Sequence, residues 1–474
     1  MPEPATITRI QDLFRKQQQH RWVMARTTAA ERCDRLRRLK EAVVAGRGEL
    51  RQALAADYSK HAIEVELTEI QPTLGEISHT IRHLHGWMRP RRVRTPLLLA
   101  GTRSQIRYEP KGVALILAPW NYPFNLAVNP LVAAIAAGNC VMLRPSNKVP
   151  ATAAFLKALV ERVFPEEEAA VFLGDHAVGT ALLELPFDHI FFTGSTAVGR
   201  QVMAAAAKHL ASVTLELGGK SPVVVDETAD VRAAARRVTW GKFLNGGQTC
   251  VAPDYVFVHA SQYAAFVREA GESIARFYGR SDEARAATPD FCRMVDPASC
   301  GRLKALIDES VARGAVLEAG GQADEGQRFV APTLLSNVTV DSPIMQGEIF
   351  GPVLPVLRYQ SIEEVYACTR AQGKPLALYV FSGDQAAAER IIDAIPAGGS
   401  CINNVILHLA NPNLPFGGAG ASGQGSYHGH FGFKAFSHER GVVTQGFPAL
   451  AGHFYPPYRP GMERLVNWVT KIAT

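Results

Sequence analysis

No cysteine in this 474-residue chain stands in a CxxC pair, no apolar stretch runs unbroken for the length of a bilayer, and neither charge sign dominates. Each absence removes a class of protein. Seven cysteines, an odd number scattered from Cys33 to Cys401, supply neither a zinc site nor a disulfide framework. No metal is expected, and a reducing compartment fits best. The most apolar long stretch, residues 116–143, is interrupted by three prolines and four asparagines. A membrane span needs about 20 mostly apolar residues, so this one is excluded. Lys and Arg number 50 against 44 Asp and Glu, a mild net charge of +6. The densest basic run, "RPRRVR" at 89–94, has no aromatic ladder or RNA-binding motif beside it and reads as a solvated loop. No nucleic-acid partner is expected. The N-terminal stretch lacks the apolar core of a secretory signal and begins as an amphipathic helix, which points to a cytoplasmic protein. Repeats and low-complexity segments are absent too.

What is present is a large globular composition. Hydrophobic residues make up 47% and charged residues 20%, which excludes bulk disorder and leaves room for two or three domains. The first hundred residues read as helices. In residues 63–88, Ile70, Leu74, Ile77, Ile81 and Leu84 recur at spacings of three and four, one apolar helical face. Strands and helices then alternate. Strand-like runs fall at 112–118, 140–143, 169–174 and 189–194, with helical stretches at 129–138, 151–163 and 196–210 between or after them. A second series of strands follows at 221–226, 255–259, 351–359 and 376–381, among helices at 229–244, 261–278, 297–313, 361–371 and 384–395. Such alternation implies an α/β fold with two doubly wound parallel-sheet domains, whose chemistry sits in the crevice at the carboxyl ends of the strands.

Four stretches carry candidate chemistry. "FLNGGQTC" (243–250) ends in Cys250 behind two glycines. A cysteine in a strand is commonly a small buried hydrophobe. The Gly246-Gly247 pair instead marks close approach of bare backbone, which suits a reactive thiol. "VTLELGGKSP" (213–222) sets Glu216 between leucines at a strand end, where a carboxylate either reaches solvent or is a tuned base. In "APWNYPFNL" (118–126), Asn121 either satisfies its own turn or offers an amide N–H to a developing oxyanion. "FFTGSTAVGR" (191–200) runs from a strand through Gly194-Ser195-Thr196 into a helix carrying Gly199. It spaces its glycines as G-x-x-x-x-G rather than GxGxxG, so a plain strand-to-helix turn competes with a pyrophosphate site. Together a thiolate, oxyanion donor, base and dinucleotide turn specify oxidation of a carbonyl through a covalent thioester.

Seven stretches occur in one order: "APWNYPFNL", "FFTGSTAVG", "LELGGKSP", "WGKFLNGGQTCVAPDY", "QGEIFGPVLPV", "KPLALYVFS" and "LPFGGAGASGQGSYHGHFGF". By them the chain resembles the aldehyde dehydrogenase superfamily over nearly its full length, and most of all its class 3 branch, which takes aromatic and medium- to long-chain aldehydes. The resemblance implies that Cys250 is the nucleophile. Asn121 and the Cys250 backbone N–H would hold the oxyanion of the thiohemiacetal, and Glu216 would activate the water that hydrolyses the thioester. Gly194, Ser195 and Gly199 match the family's pyrophosphate turn, and Leu217 is a further expected cofactor-binding residue. Glu348 and Phe350 match the positions that hold the nicotinamide ribose. Tyr122, Trp240 and Phe416 match or flank the substrate tunnel, with core packing the competing role for Trp240.

The same resemblance implies an architecture. Residues 1–89 and 110–217 would form the dinucleotide-binding domain and 218–400 the catalytic domain. Residues 90–109 and 401–446 would form a bridging β-hairpin arm that pairs subunits into a homodimer, and 447–474 a C-terminal tail. One departure bears on the cofactor. Many members have Lys-Pro-Ser-Glu where this chain has Arg144-Pro145-Ser146-Asn147. A glutamate there repels a 2′-phosphate, whereas Asn147 does not and Arg144 offers a phosphate partner. NADP is therefore expected to serve at least as well as NAD. In the tail, Leu465, Trp468, Val469 and Ile472 lie on one face of a helix that is read as a lid near the tunnel mouth, with membrane-surface contact as the rival. An acyl transfer to coenzyme A, or a non-catalytic protein on the same scaffold, are the alternatives, and retention of Glu216, Cys250 and Asn121 argues against both.

Overall fold

A computed structural model describes residues 3–96, 99–446, 455–458 and 460–473, without the side chains of residues 465, 469, 472 and 473. Two parallel sheets organise the chain. The first has six strands in the order Gly423–Gln424, Ser212–Leu217, His189–Gly194, Val113–Leu117, Cys140–Arg144, Ala169–Val171. Its last five run parallel, and Gly423–Gln424 caps the edge antiparallel to Ser212–Leu217. Val113–Leu117 is buried at every residue, as a central strand covered on both faces must be. The helix Asn125–Ala137, apolar nearly all round, is buried accordingly.

The second sheet has seven strands in the order Val316–Ala319, Thr333–Ser336, Val353–Tyr359, Tyr255–His259, Pro222–Val225, Ala377–Phe381, Gly399–Ile402. All neighbours are parallel except the first pair. The fold is thus α/β with two doubly wound parallel sheets. Val316–Ala319, Thr333–Ser336 and Gly399–Ile402 lie outside the strand-like runs of the sequence; the first is mostly exposed and the last only half-buried, so neither carries the apolar run that marks a central strand.

Two further elements refine the sequence reading. The apolar face over 63–88 is real, with Ile70, Ile77 and Leu84 fully buried. It is carried by three pieces, however: Ala62–Val65, a π-helical turn Glu66–Ile70, and Gln71–Trp87. Pro72 has no N–H to give the preceding turn, and the ladder widens there so that Gln71 N donates to the Glu66 carbonyl. The expected hairpin is a three-stranded antiparallel sheet, Arg91–Val93, Thr102–Pro110 and Ser437–Gln445. Nine consecutive pairs join its two long strands. At the far end, Met462–Ala473 is the expected tail helix, and its Trp468 is exposed. The side chains of Leu465, Val469 and Ile472 lie outside the described residues. No helix among the described residues is long and apolar enough to cross a membrane.

Candidate active site

The six-stranded sheet brings the carboxyl ends of its strands to the crevice as expected, but the seven-stranded sheet does not: Cys250 precedes Tyr255–His259 and Glu348 precedes Val353–Tyr359, so that sheet contributes the amino ends of its strands. From the six-stranded sheet, Val113–Leu117 leads to Asn121, Cys140–Arg144 to Asn147, His189–Gly194 to Ser195, and Ser212–Leu217 carries Glu216. From the other side, the helix Val231–Phe243 ends in a left-handed turn, with φ 55° at Asn245, 61° at Gly246 and 72° at Gly247. A side chain at Gly247 would collide with the Gly351 carbonyl, so this turn packs bare backbone onto the loop after Glu348. That close approach is what the two glycines of the cysteine stretch provide.

Gln248 then locks the turn. Its Oε1 accepts from Val295 N at 2.9 Å, and its Nε2 donates to the Asn245 carbonyl at 3.0 Å. Two residues on, Cys250 is half-buried. Burial first, then the nearby Glu348 and Glu216 carboxylates, push its thiol up to about 12, while the backbone N–H groups of Cys250 and Val251 pull the other way. Asn121 is buried, and its Nδ2 donates to the Gln248 carbonyl at 3.0 Å. The Asn121 amide is therefore tied directly to the backbone that presents the thiol. Tyr122 and Thr249 share a hydrogen bond of 2.6 Å, a second tie between the same two loops.

Glu216 is 3% exposed, and neither carboxylate oxygen meets a hydrogen-bond partner among the described residues. Burial pushes its pKa well above the ordinary range. Glu348 is pushed up to about 8 by burial and then by Asp254. The Gly219 N–H, Lys220 and Lys242 oppose that rise. A side chain at Gly218 would collide with Glu348, which explains the bare glycine beside Leu217. Phe350 has φ 46° and meets Trp120 edge-to-face at 5.3 Å. Two carboxyls thus approach one thiol from the two sheets.

A cleft of about 880 Å³ runs from Glu348 to a helix N-terminus, and Thr196, Gly218, Lys220 and Ser422 also line it, whereas Cys250, Glu216 and Asn121 do not. Ser195 caps the helix Thr196–Lys208, its Oγ accepting from Val198 N at 3.4 Å. A Cβ at Gly199 would sit 2.5 Å from Leu217 Cδ2, so glycine lets this helix lie directly on its strand. At the next strand end, Arg144 donates to the Gly174 carbonyl at 3.0 Å and to Asn147 Oδ1 at 3.4 Å, and its buried Nε has no partner. Ser146 is buried and Asn147 exposed. These groups fit a dinucleotide. They comprise a capped helix end with free N–H groups, a glycine-cleared cleft, and an orphaned Arg144 Nε.

Of the aromatic residues named from the sequence, Phe416 is buried against Tyr427 at 5.7 Å, Tyr122 lies beside the thiol loop, and Trp240 is exposed at the surface. Sequence reasoning missed three others. Tyr379 donates to the Val251 carbonyl at 2.6 Å, fully buried Tyr427 lies within electrostatic reach of both Glu216 and Cys250, and Tyr58 donates to the Asn121 carbonyl at 3.0 Å. Tyr379 lies in an apolar run, Tyr58 beside charged residues and Tyr427 in a glycine-rich stretch, and in none of these settings does the local sequence name the distant partner.

The class of protein that such a site defines is confirmed by likeness to known proteins. Residues 5–442 match the model of the Aldehyde dehydrogenase family, and the chain belongs to that family. It is 43% identical over 428 residues to the 4,4'-diaponeurosporen-aldehyde dehydrogenase of Staphylococcus aureus, covering 90% of this chain and 92% of that one. It is 40% identical over 464 residues to the probable coniferyl aldehyde dehydrogenase of Pseudomonas aeruginosa, covering 97% and 96%. The substrate-bound structure of Staphylococcus aureus AldH superposes with a TM-score of 0.92 at 40% identity, over 97% of this chain and 99% of that one.

Proposed function

We propose that this aldehyde dehydrogenase oxidises an apolar aldehyde, aromatic or medium- to long-chain, to the carboxylic acid with NAD or NADP through a thioester on Cys250. One observation carries the reading: a half-buried thiol lies near an amide donor tied to its own loop and two carboxyls whose proton affinity burial raises, Glu216 with no hydrogen-bond partner among the described residues. Cys250 Sγ attacks the aldehyde carbon, its proton leaving to solvent, and the carbonyl oxygen becomes an oxyanion. The free N–H of Asn121 Nδ2 and the Cys250 backbone N–H would donate hydrogen bonds to that oxyanion. Glu348 and Phe350 would hold the nicotinamide ribose of a dinucleotide, which when bound would supply the hydride acceptor that turns the thiohemiacetal into a thioester. Glu216 takes a proton from water, the resulting hydroxide attacks the thioester carbonyl, and the C–S bond breaks to release acid and thiol. A carboxyl whose pKa burial has raised is the stronger base for that step once ionised.

Tyr122, Phe416 and Trp240 support an apolar substrate, as do relatives named for 4,4'-diaponeurosporen-aldehyde and coniferyl aldehyde. Gly194, Ser195, Gly199 and Leu217 would receive the pyrophosphate, and Arg144, Ser146 and Asn147 the adenosine ribose. Arg144 with no carboxylate at position 147 supports use of NADP. Residues 1–89 with 110–217 would bind the dinucleotide, 218–400 would supply the nucleophile, and the arm would join two copies in a cytoplasmic homodimer.

Rapid mixing of Glu216→Gln with an apolar aldehyde tests the scheme with either dinucleotide. A burst of reduced cofactor followed by little turnover is expected, because hydrolysis needs the base and hydride loss does not. Wild-type steady-state turnover in this variant would remove Glu216. In the same assay NADP should give kcat/KM at least equal to NAD, and Asn147→Glu should weaken NADP alone. A strong NAD preference in the parent enzyme would overturn the cofactor assignment.

A further inference from the structure

A second polar cluster stands behind the reacting groups, on the short segment between Tyr58 and Glu69. Tyr58 is 1% exposed, and its hydroxyl donates to the Asn121 carbonyl at 3.0 Å. The same carbonyl accepts from Asn245 Nδ2 at 2.9 Å. Asn245 Nδ2 also donates to the Gln248 carbonyl at 3.1 Å, the oxygen that Asn121 Nδ2 reaches at 3.0 Å. Asn121 and Asn245 are therefore cross-tied, one from each side of the crevice. The outer tie of Asn245 goes back to the same segment, its backbone N–H donating to Glu64 Oε1 at 2.9 Å.

The segment is itself held in place from beneath. Lys60 has no exposed side-chain surface, pairs with Glu69 at 3.4 Å, and lies 4.3 Å from the centre of the Tyr122 ring. The other oxygen of Glu69 accepts from Asn125 N at 2.8 Å, fixing the start of the helix that follows Asn121. Burying a lysine, a glutamate and a phenol is costly, and apolar side chains of like volume would pack the same space. Here Tyr58 ends on Asn121 itself, while Lys60 and Glu69 end on its neighbours Tyr122 and Asn125.

We propose that Tyr58 and Glu64 are positioning residues for the oxyanion site. They touch neither substrate nor thiol. Tyr58 sets the Asn121 peptide and Glu64 sets the left-handed Asn245, so that the remaining N–H of Asn121 Nδ2 points at the place where charge develops. The inference rests on the proposed mechanism and adds two residues to it. It also gives the N-terminal segment a part in the chemistry, although no reacting residue lies there.

Tyr58→Phe, Glu64→Ala and Glu64→Gln test it in single turnovers against parent enzyme. Tyr58→Phe and Glu64→Ala should slow formation of reduced dinucleotide about 10- to 100-fold, the size expected when a transition-state donor is slightly misplaced. Dinucleotide Kd and the rate of Cys250 alkylation by iodoacetamide, which needs no oxyanion donor, should stay within about twofold. Glu64→Gln should recover most of the rate, because its amide oxygen still accepts from Asn245 N. Tyr58→Phe keeps shape and packing, so it reads the hydroxyl alone even where Glu64→Ala unfolds. An unchanged Tyr58→Phe rate, a parallel loss of alkylation, or a glutamine no better than alanine would each overturn the proposal. A parent enzyme that oxidises no aldehyde would instead remove the mechanism, and this inference with it.

Discussion

A thiol held near 12 is a poor nucleophile at neutral pH, and the residues that hold it there are identifiable. Burial is the first cause, and Glu348 is the largest charge among the rest. Glu348 is itself pushed up to about 8, so it repels a thiolate only above that pH. The sign follows. In the enzyme without dinucleotide, alkylation of Cys250 should keep rising with pH beyond 9, since the thiolate fraction is still growing there. Glu348→Gln should speed alkylation only above about pH 8, where the parent carboxylate is charged, and should leave the rate below it unaltered. A plateau below pH 8 in the parent enzyme would contradict the raised thiol. An effect of the variant at pH 6 would contradict the assignment to charge.

Among the elements, the helix Thr196–Lys208 depends on one missing side chain. Its strand neighbour Leu217 occupies the place where a Cβ at Gly199 would fall. Gly199→Ala should push the helix end off the sheet, at a cost of about 1–3 kcal/mol typical of overpacking. Because Ser195 and the free N–H groups move with that end, dinucleotide Kd should rise about tenfold or more, measured by calorimetry. Adding Leu217→Ala should return part of the loss, as the colliding methyl is gone. The π-helical turn Glu66–Ile70 is a second element with a local cause, since Pro72 withholds an N–H. It carries Glu69 to the underside of Tyr122's loop, so a break in helix periodicity there serves the site.

At the scale of the whole molecule, the arm is the part that the single chain leaves unfinished. Ser437–Gln445 is an edge strand nine residues long, exposed along most of its length, with Val443 60% exposed. A long free edge of this kind is a template for pairing with another chain. The proposed homodimer places it against a second copy. Val443→Lys should then weaken the dimer, because burying a valine is worth about 1.5–3 kcal/mol and the added charge blunts the edge. Sedimentation should show the dissociation constant raised about tenfold or more. A parent protein that sediments as a monomer at assay concentration would refute the pairing.

Apolar periodicity and glycine placement determined much of this protein in advance. The strand at Val113–Leu117, the helix Asn125–Ala137 and the turn at Gly194-Ser195 all follow from local pattern, because buried strands and helix starts have local signatures. Cys250, Asn121 and Glu216 stood out locally only as candidates, each with a competing structural role, and the family resemblance assigned their parts. The edge strand Gly399–Ile402 did not stand out, since it is only half-buried and shows no apolar run, unlike the equally short but fully buried Pro222–Val225. What only the tertiary structure decided was pairing. Tyr58 meets Asn121 across 63 positions and Asn121 meets Gln248 across 127, and no local sequence property encodes which buried donor finds which acceptor. The raised proton affinities of Cys250, Glu216 and Glu348 are likewise tertiary, because burial and the approach of two sheets create them.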